Sequence, residues 1–162
     1  MARESVKKFR KLALGGTFDI LHQGHEKILR EAFSLSEYVI IGLSTDRLAE
    51  ELAKGHPVRP YSERKKALED FLRAEDFLER SSVVPIDSRW GSAPFLEDLD
   101  ALMVSRETYP VAREINRARR ERGLREVEVV VFEKQLAEDG KPISATRIRA
   151  GEIDRAGRRL RP

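Results

Sequence analysis

Five short apolar runs, separated by helical patterns and turn signals, constrain this chain more than any other feature. Phe9–Leu14, Tyr38–Leu43, Ser82–Ile86, Ala101–Val104 and Val127–Phe132 are each four to six residues long. Runs of that length with no polar alternation read as buried strands. Between them, Glu26–Leu35 places apolar residues at 28, 29, 32, 33 and 35, the face of an amphipathic helix. Helices are also expected from Ser44-Thr45-Asp46 toward Lys54, from Ser62 to Arg73 or Ala74, and from Thr108 to Arg122, where Gly123 supplies a stop. Ser144 can cap a closing helix that ends at Gly151. Alternating strands and helices build a parallel sheet covered on both faces. The expected fold class is therefore α/β: a single Rossmann-like doubly wound domain with a five-stranded parallel sheet. Pro85 cannot donate to a ladder, which puts its run at a sheet edge or a strand end. The 162 residues suit one domain, with its core over about 9–154 and a basic, frayed tail over 155–162.

Ligands in such sheets bind beyond the carboxyl ends of the strands, at the topological switch point. There the first strand runs into Gly15-Gly16-Thr17-Phe18-Asp19, followed by His22-Gln23-Gly24-His25. Two glycines let the backbone approach a bulky anion with no Cβ in the way. The Thr17 hydroxyl, nearby backbone N–H groups and the positive end of a helix starting near Gly24 all favour negative charge. His22 and His25, three apart, share a helical face. Two imidazoles there can neutralise charge that grows on a phosphate during transfer. Two other readings fit the same residues: a tight turn for the glycines and a metal site for the histidines. The third histidine, His56, stands in a loop between Gly55 and Pro57 and reads as an exposed loop residue.

Composition narrows the function classes. The absence of cysteine excludes disulfides and thiolate metal sites and suits a reducing cytoplasm. No stretch approaches the ~20 apolar residues of a membrane span, and Met1–Lys11 is too charged for a signal-peptide core. A net charge of +3 suits an anionic small ligand or nucleic acid. Arg113–Arg125 interleaves its cations with acids and has no aromatic residue, so it reads as a solvated helical face rather than a nucleic-acid platform. Charged residues make up 36% of the chain, while asparagine occurs once and glutamine twice, the balance expected of a heat-adapted protein. No exposed apolar helix stands out, so a monomer is expected.

Gly-Gly-Thr-Phe-Asp-x-x-His-x-Gly-His resembles the signature of the nucleotidylyltransferase superfamily, which by fold also includes class I aminoacyl-tRNA synthetases. About 120 residues further on, Ile143-Ser144-Ala145-Thr146-Arg147-Ile148-Arg149 resembles that superfamily's second signature, Ile-Ser-Ser-Thr-x-Ile-Arg, with Ala145 in place of a hydroxyl residue. Between them, Gly42–Asp46 resembles adenylyl- and cytidylyltransferases broadly, while Lys54-Gly55-His56, Val58–Ser62 with Arg64, Val104–Thr108, Ile115-Asn116-x-x-Arg119 and Gly123-Leu124 are more particular. Asp139–Pro142 and Gly151–Asp154 flank the second signature. Together they resemble the archaeal phosphopantetheine adenylyltransferases, which share this domain with the eukaryotic CoA synthase.

The resemblance implies transfer of AMP from ATP to 4′-phosphopantetheine, giving dephospho-CoA and pyrophosphate. The acceptor's own phosphate would attack in line, with no covalent enzyme intermediate. By motif, Thr17 would orient the attacking phosphate, His25 would stabilise the α-phosphate, His22 would add to phosphate binding and Lys54 would contact the reacting phosphates. Gly15, Gly16, Phe18 and Gly24 would border the ATP, and Ser144, Thr146 and Arg147 would hold its outer phosphates. Magnesium is implied with ATP, although no carboxylate cage is visible for it. Arg106 suits either a phosphate contact or a surface ion pair with Glu107. Ile86 and Asp87, with Trp90, could line the pantetheine arm, and Trp90 equally suits an anchor for its loop; Tyr61 and Phe95 read as packing residues. The same signatures serve enzymes acting on FMN or nicotinamide mononucleotide. A non-enzymatic nucleotide- or RNA-binding module is the remaining alternative.

Overall fold

A computed structural model describes residues 6–160. The elements are β1 (Phe9–Gly16), α1 (Gln23–Leu35), β2 (Ser36–Ser44), α2 (Asp46–Ala53), α3 (Tyr61–Ala74), β3 (Ser81–Ile86), β4 (Ala101–Val104), α4 (Tyr109–Glu121), β5 (Glu128–Val131) and α5 (Ala145–Arg149). All neighbouring strands are parallel, in the order β3-β2-β1-β4-β5. The chain winds outward from β1 in both directions, so the switch point lies between β1 and β4. Pro85 sits in β3, which is an edge strand, as its missing N–H requires.

Successive side chains of a strand point to opposite faces, and the two faces feed separate cores. Leu12 and Leu14 of β1 pack with Leu29 and Phe33 of α1 and Leu68 and Leu72 of α3. Ala13, between them, joins Leu102 of β4 and Ala112 and Ile115 of α4 on the other face. The middle of β1 is therefore held from both faces of the sheet. The strand extends through both glycines, which pair with Gly42 and Leu43 of β2.

Residues 155–160 correct one sequence expectation, because they are folded rather than frayed. Gln23 N–H donates to the Arg155 carbonyl at 3.0 Å, Glu138 N–H to Gly157 at 2.8 Å, and Leu160 N–H to Glu152 at 3.0 Å. A bridge joins Ile153 to Arg159, and Ile153 closes a small core with Ala137 and Ile143. Such a segment has no periodicity of its own, since its backbone pairs with scattered groups outside any strand or helix of its own. Phe95 is also not a packing residue: it is 60% exposed and lies under the Arg122 guanidinium at 4.4 Å. Tyr61 does pack against the first core. Residues 1–5 and 161–162 lie outside the described part, including the opening of Met1–Lys11 and the last two tail residues.

Candidate active site

β1 delivers its glycines to the carboxyl edge of the sheet, and the chain then turns sharply. Phe18 adopts a left-handed backbone, φ 48°, which costs a non-glycine residue about 1–2 kcal/mol. Burial of its ring in the first core offsets that strain. Arg64 fixes the turn. It is fully buried and donates to the carbonyls of Thr17 (3.0 Å), Ser44 (2.9 Å) and Arg59 (2.7 Å) and to Asp46 Oδ1 (3.0 Å). One guanidinium thus ties the ends of β1 and β2 together, a role no periodicity announces.

His22 is the N-cap of α1. Its Nδ1 accepts from the N–H groups of Gly24 (3.0 Å) and His25 (3.4 Å), while His25 Nδ1 accepts from His22 N–H at 3.4 Å. This is a capping box made of two histidines. A backbone N–H can only donate, so both Nδ1 atoms are unprotonated and each neutral ring carries its proton on Nε2. The rings stack with centroids 3.8 Å apart. Burial lowers His22 to about 4; burial, then the neighbouring His22, lowers His25 to about 3 against an opposing contact with the Ile20 carbonyl. At neutral pH the pair therefore presents hydrogen-bond donors, not cations.

Gly24 follows from the same arrangement. A Cβ there would lie 2.8 Å from His22 Cε1, because the ring folds back over the start of the helix. The first-turn N–H groups expected to cradle a phosphate are already occupied. Gly24 and His25 donate to His22 Nδ1, Gln23 to the Arg155 carbonyl (3.0 Å) and Glu26 to the His22 carbonyl (3.1 Å). What α1 offers an anion is its dipole and two Nε2–H groups.

The second signature lies against the first. Arg149 in α5 contacts Asp19 Oδ1 at 3.0 Å and Oδ2 at 2.8 Å and also donates to the Pro57 carbonyl. Asp19, nearly buried, further accepts from Arg59 N–H at 2.9 Å, and its carbonyl accepts from Arg59 Nε at 2.7 Å. One carboxylate thus joins the glycine turn, the 57–59 loop and α5. Ser144 caps α5, its Oγ accepting from Arg147 N–H at 3.2 Å.

Arg147 departs from the expectation. Its guanidinium is committed to Asp139, to Glu152 at 2.9 Å and to the Pro142 carbonyl at 3.1 Å. The arginine that reaches the first signature is Arg149, which occupies the fixed last position of the Ile-Ser-Ser-Thr-x-Ile-Arg pattern. That register was the available signal. Arg106 is in an ion pair, but with Glu133 across from it (3.2 Å); Glu107 pairs instead with Lys134 (3.0 Å). Lys54 is exposed at the end of α2 with φ 51°, and no carboxylate pairs with it among the described residues.

A cavity of about 370 Å³ opens below this edge on the α4 side, bordered by Gly15, Gly16, Leu48, Ile86, Trp90 and Val111. Ile86 fits there because Gly15, Gly42 and Gly91 leave it room: Cβ atoms on them would lie 3.3, 3.0 and 2.9 Å from its side chain. Trp90 is 43% exposed; it borders the cavity, and its Nε1–H donates to Glu114 at 2.9 Å. Asp87 is not among the lining residues; its exposed carboxylate accepts from Thr45 Oγ1 at 2.7 Å.

A parallel sheet carrying this glycine–histidine turn, with an apolar cavity beside it, defines a class, and the sequence profile of the cytidylyltransferase-like family matches residues 13–151; the chain belongs to that family. More closely, it belongs with the phosphopantetheine adenylyltransferases. It is 46% identical over 151 residues to that of Methanothermobacter thermautotrophicus, covering 93% of this chain and 90% of the relative. With that of Methanopyrus kandleri it shares 42% over 149 residues, covering 92% and 94%. A crystal structure of a protein of unknown function from Archaeoglobus fulgidus superposes with a TM-score of 0.67 at 30% identity, covering 83% of this chain and 99% of that one. No helix among the described residues is long and apolar enough to cross a membrane.

Proposed function

We propose that this protein transfers AMP from ATP to 4′-phosphopantetheine, releasing pyrophosphate and forming dephospho-CoA. The observation that carries the reading is the Asp19–Arg149 contact, which puts both signatures in one site beside an apolar cavity. An acceptor with a phosphate at one end and a long, weakly polar arm suits that combination. An oxygen of the acceptor phosphate attacks the α-phosphorus of ATP in line, and the bond from that phosphorus to the pyrophosphate oxygen breaks. No protein nucleophile takes part, so positioning and electrostatics supply the rate.

In this mechanism Thr17 and Lys54 orient the attacking phosphate. His22 and His25 donate from Nε2 to the α-phosphate as its charge redistributes. Gly15, Gly16 and Phe18 shape the turn beside the nucleotide. Ser144, Thr146 and Arg149 hold the outer phosphates, and Arg149 exchanges Asp19 for them. Arg147 acts indirectly, fastening α5 to the 139–142 turn. Ile86 borders the arm. Among the described residues no group of three or more His, Asp or Glu could hold a metal. Magnesium would arrive with the triphosphate and would screen the charge on its phosphates, as is usual for ATP. The protein works in the cytoplasm as a monomer, with small molecules and not nucleic acid as its partners.

The test is pyrophosphate release with ATP, magnesium and each acceptor in turn. Turnover with phosphopantetheine, and little with FMN or nicotinamide mononucleotide, is expected. Activity with FMN and none with phosphopantetheine overturns the assignment. His25→Ala is expected to lower turnover at least ~100-fold with the fold intact, as loss of a transition-state donor does.

A further inference from the structure

Arg119, in the last turn of α4, is fully buried, and none of the described ion pairs includes it. Its Nε donates to the Arg125 carbonyl at 2.8 Å, and one terminal nitrogen donates to the carbonyls of Ala93 and Leu96, both at 2.7 Å. The other terminal nitrogen is buried with no partner. A guanidinium buried without a carboxylate is costly, and carbonyl dipoles and the negative end of α4 compensate only in part. Apolar packing of the same volume would serve stability as well or better.

The carbonyls it holds identify its task. Ala93 and Leu96 belong to the segment between β3 and β4, which has no ladder of its own and forms one wall of the cavity through Trp90, Gly91, Ser92, Ala93 and Leu96. α4 and its C-cap residue grip that segment at three places: Glu114 on Trp90, Arg119 on Ala93 and Leu96, and Arg122 over Phe95. Only the Arg119 grip is buried and doubled. It is also the one that leaves the side chains of the wall free to face the cavity.

We propose that Arg119 is the positioning residue of the acceptor site, bracing residues 89–96 so that the cavity wall is preformed before the acceptor arrives. The inference rests on reading that cavity as the place of the acceptor arm. Trp90 is the chain's single tryptophan, so the wall reports on itself. In Arg119→Lys, the acceptor KM is expected to rise about tenfold while the ATP KM stays within about twofold. The Trp90 emission should shift and residues 89–96 should exchange their amide hydrogens faster. Should Arg119→Lys fail to fold, Glu114→Leu removes the acceptor of the exposed grip on Trp90 and should raise the acceptor KM about threefold with ATP unaffected. Equal rises in both KM values, or an unchanged wall in fluorescence and hydrogen exchange, overturn the proposal. If the wild type does not turn over phosphopantetheine, the reading of the cavity fails. The fluorescence and exchange measurements still decide whether Arg119 braces the wall.

Discussion

The two-histidine cap of α1 makes the protein's stability depend on pH in a window where little else titrates. In the unfolded chain both rings have the ordinary value of 6.5, whereas in the folded protein His22 is lowered to about 4 and His25 to about 3. Below 6.5 the unfolded chain takes up protons that the folded rings refuse. Stability therefore falls as pH drops through this window. By about pH 5 the His22 difference alone is worth about 2 kcal/mol, and His25 taken independently a similar amount. That is a large share of the ~5–15 kcal/mol typical of a domain.

The carboxylates held low by partners, including Asp100 by Arg125 and backbone donors and Asp139 by Arg147, act in the same direction but only at lower pH. Their contribution is present above their ordinary value near 3.8 and lost below it. Urea denaturation at about pH 7.5, 6.5 and 5 isolates the histidines. The control is His22→Asn with His25→Gln, which keeps a neutral N-cap and a capping-box partner at N3 while removing both titrations. The wild type should lose at least about 2 kcal/mol from pH 7.5 to 5 and the double variant almost none. A wild type flat within about 0.5 kcal/mol, or a double variant with the same slope, refutes the reasoning. The same neutral rings explain why the pair acts at pH 7 through Nε2–H donors.

Three further outcomes follow from the site. Asp19→Asn leaves Arg149 and Arg59 without their shared charge; it should cost about 2–3 kcal/mol in chemical denaturation and raise the ATP KM. Arg149→Gln should lower kcat/KM at least ~100-fold, whereas Arg147→Gln should lower it less than about tenfold, since its guanidinium is committed to Asp139 and Glu152; steady-state kinetics decide the order. Gly24→Ala should improve helix propensity by about 1 kcal/mol yet lower turnover at least ~10-fold, because a Cβ 2.8 Å from His22 Cε1 pushes the ring off its cap; melting and turnover measured together separate the two effects.

Much of this protein follows from its sequence alone. The five apolar runs determined the parallel sheet, because strand burial is a local property of length and hydrophobicity. Pro85 located an edge for an equally local reason, a missing N–H. The Gly15–His25 and Ile143–Arg149 patterns named the chemistry. Tertiary structure decided how the two meet. The Asp19–Arg149 contact spans a sequence separation of 130, and the carboxylates that surround Arg149 and Arg147 are set by the fold. The tail from Arg155 is ordered by N–H groups of Gln23 and Glu138 that donate to its carbonyls, and Arg64 and Arg119 are buried by contacts that no neighbour in sequence foretells. Periodicity records what a residue does within its own element. The charge environment of an arginine or histidine is set by groups brought together only when the chain closes.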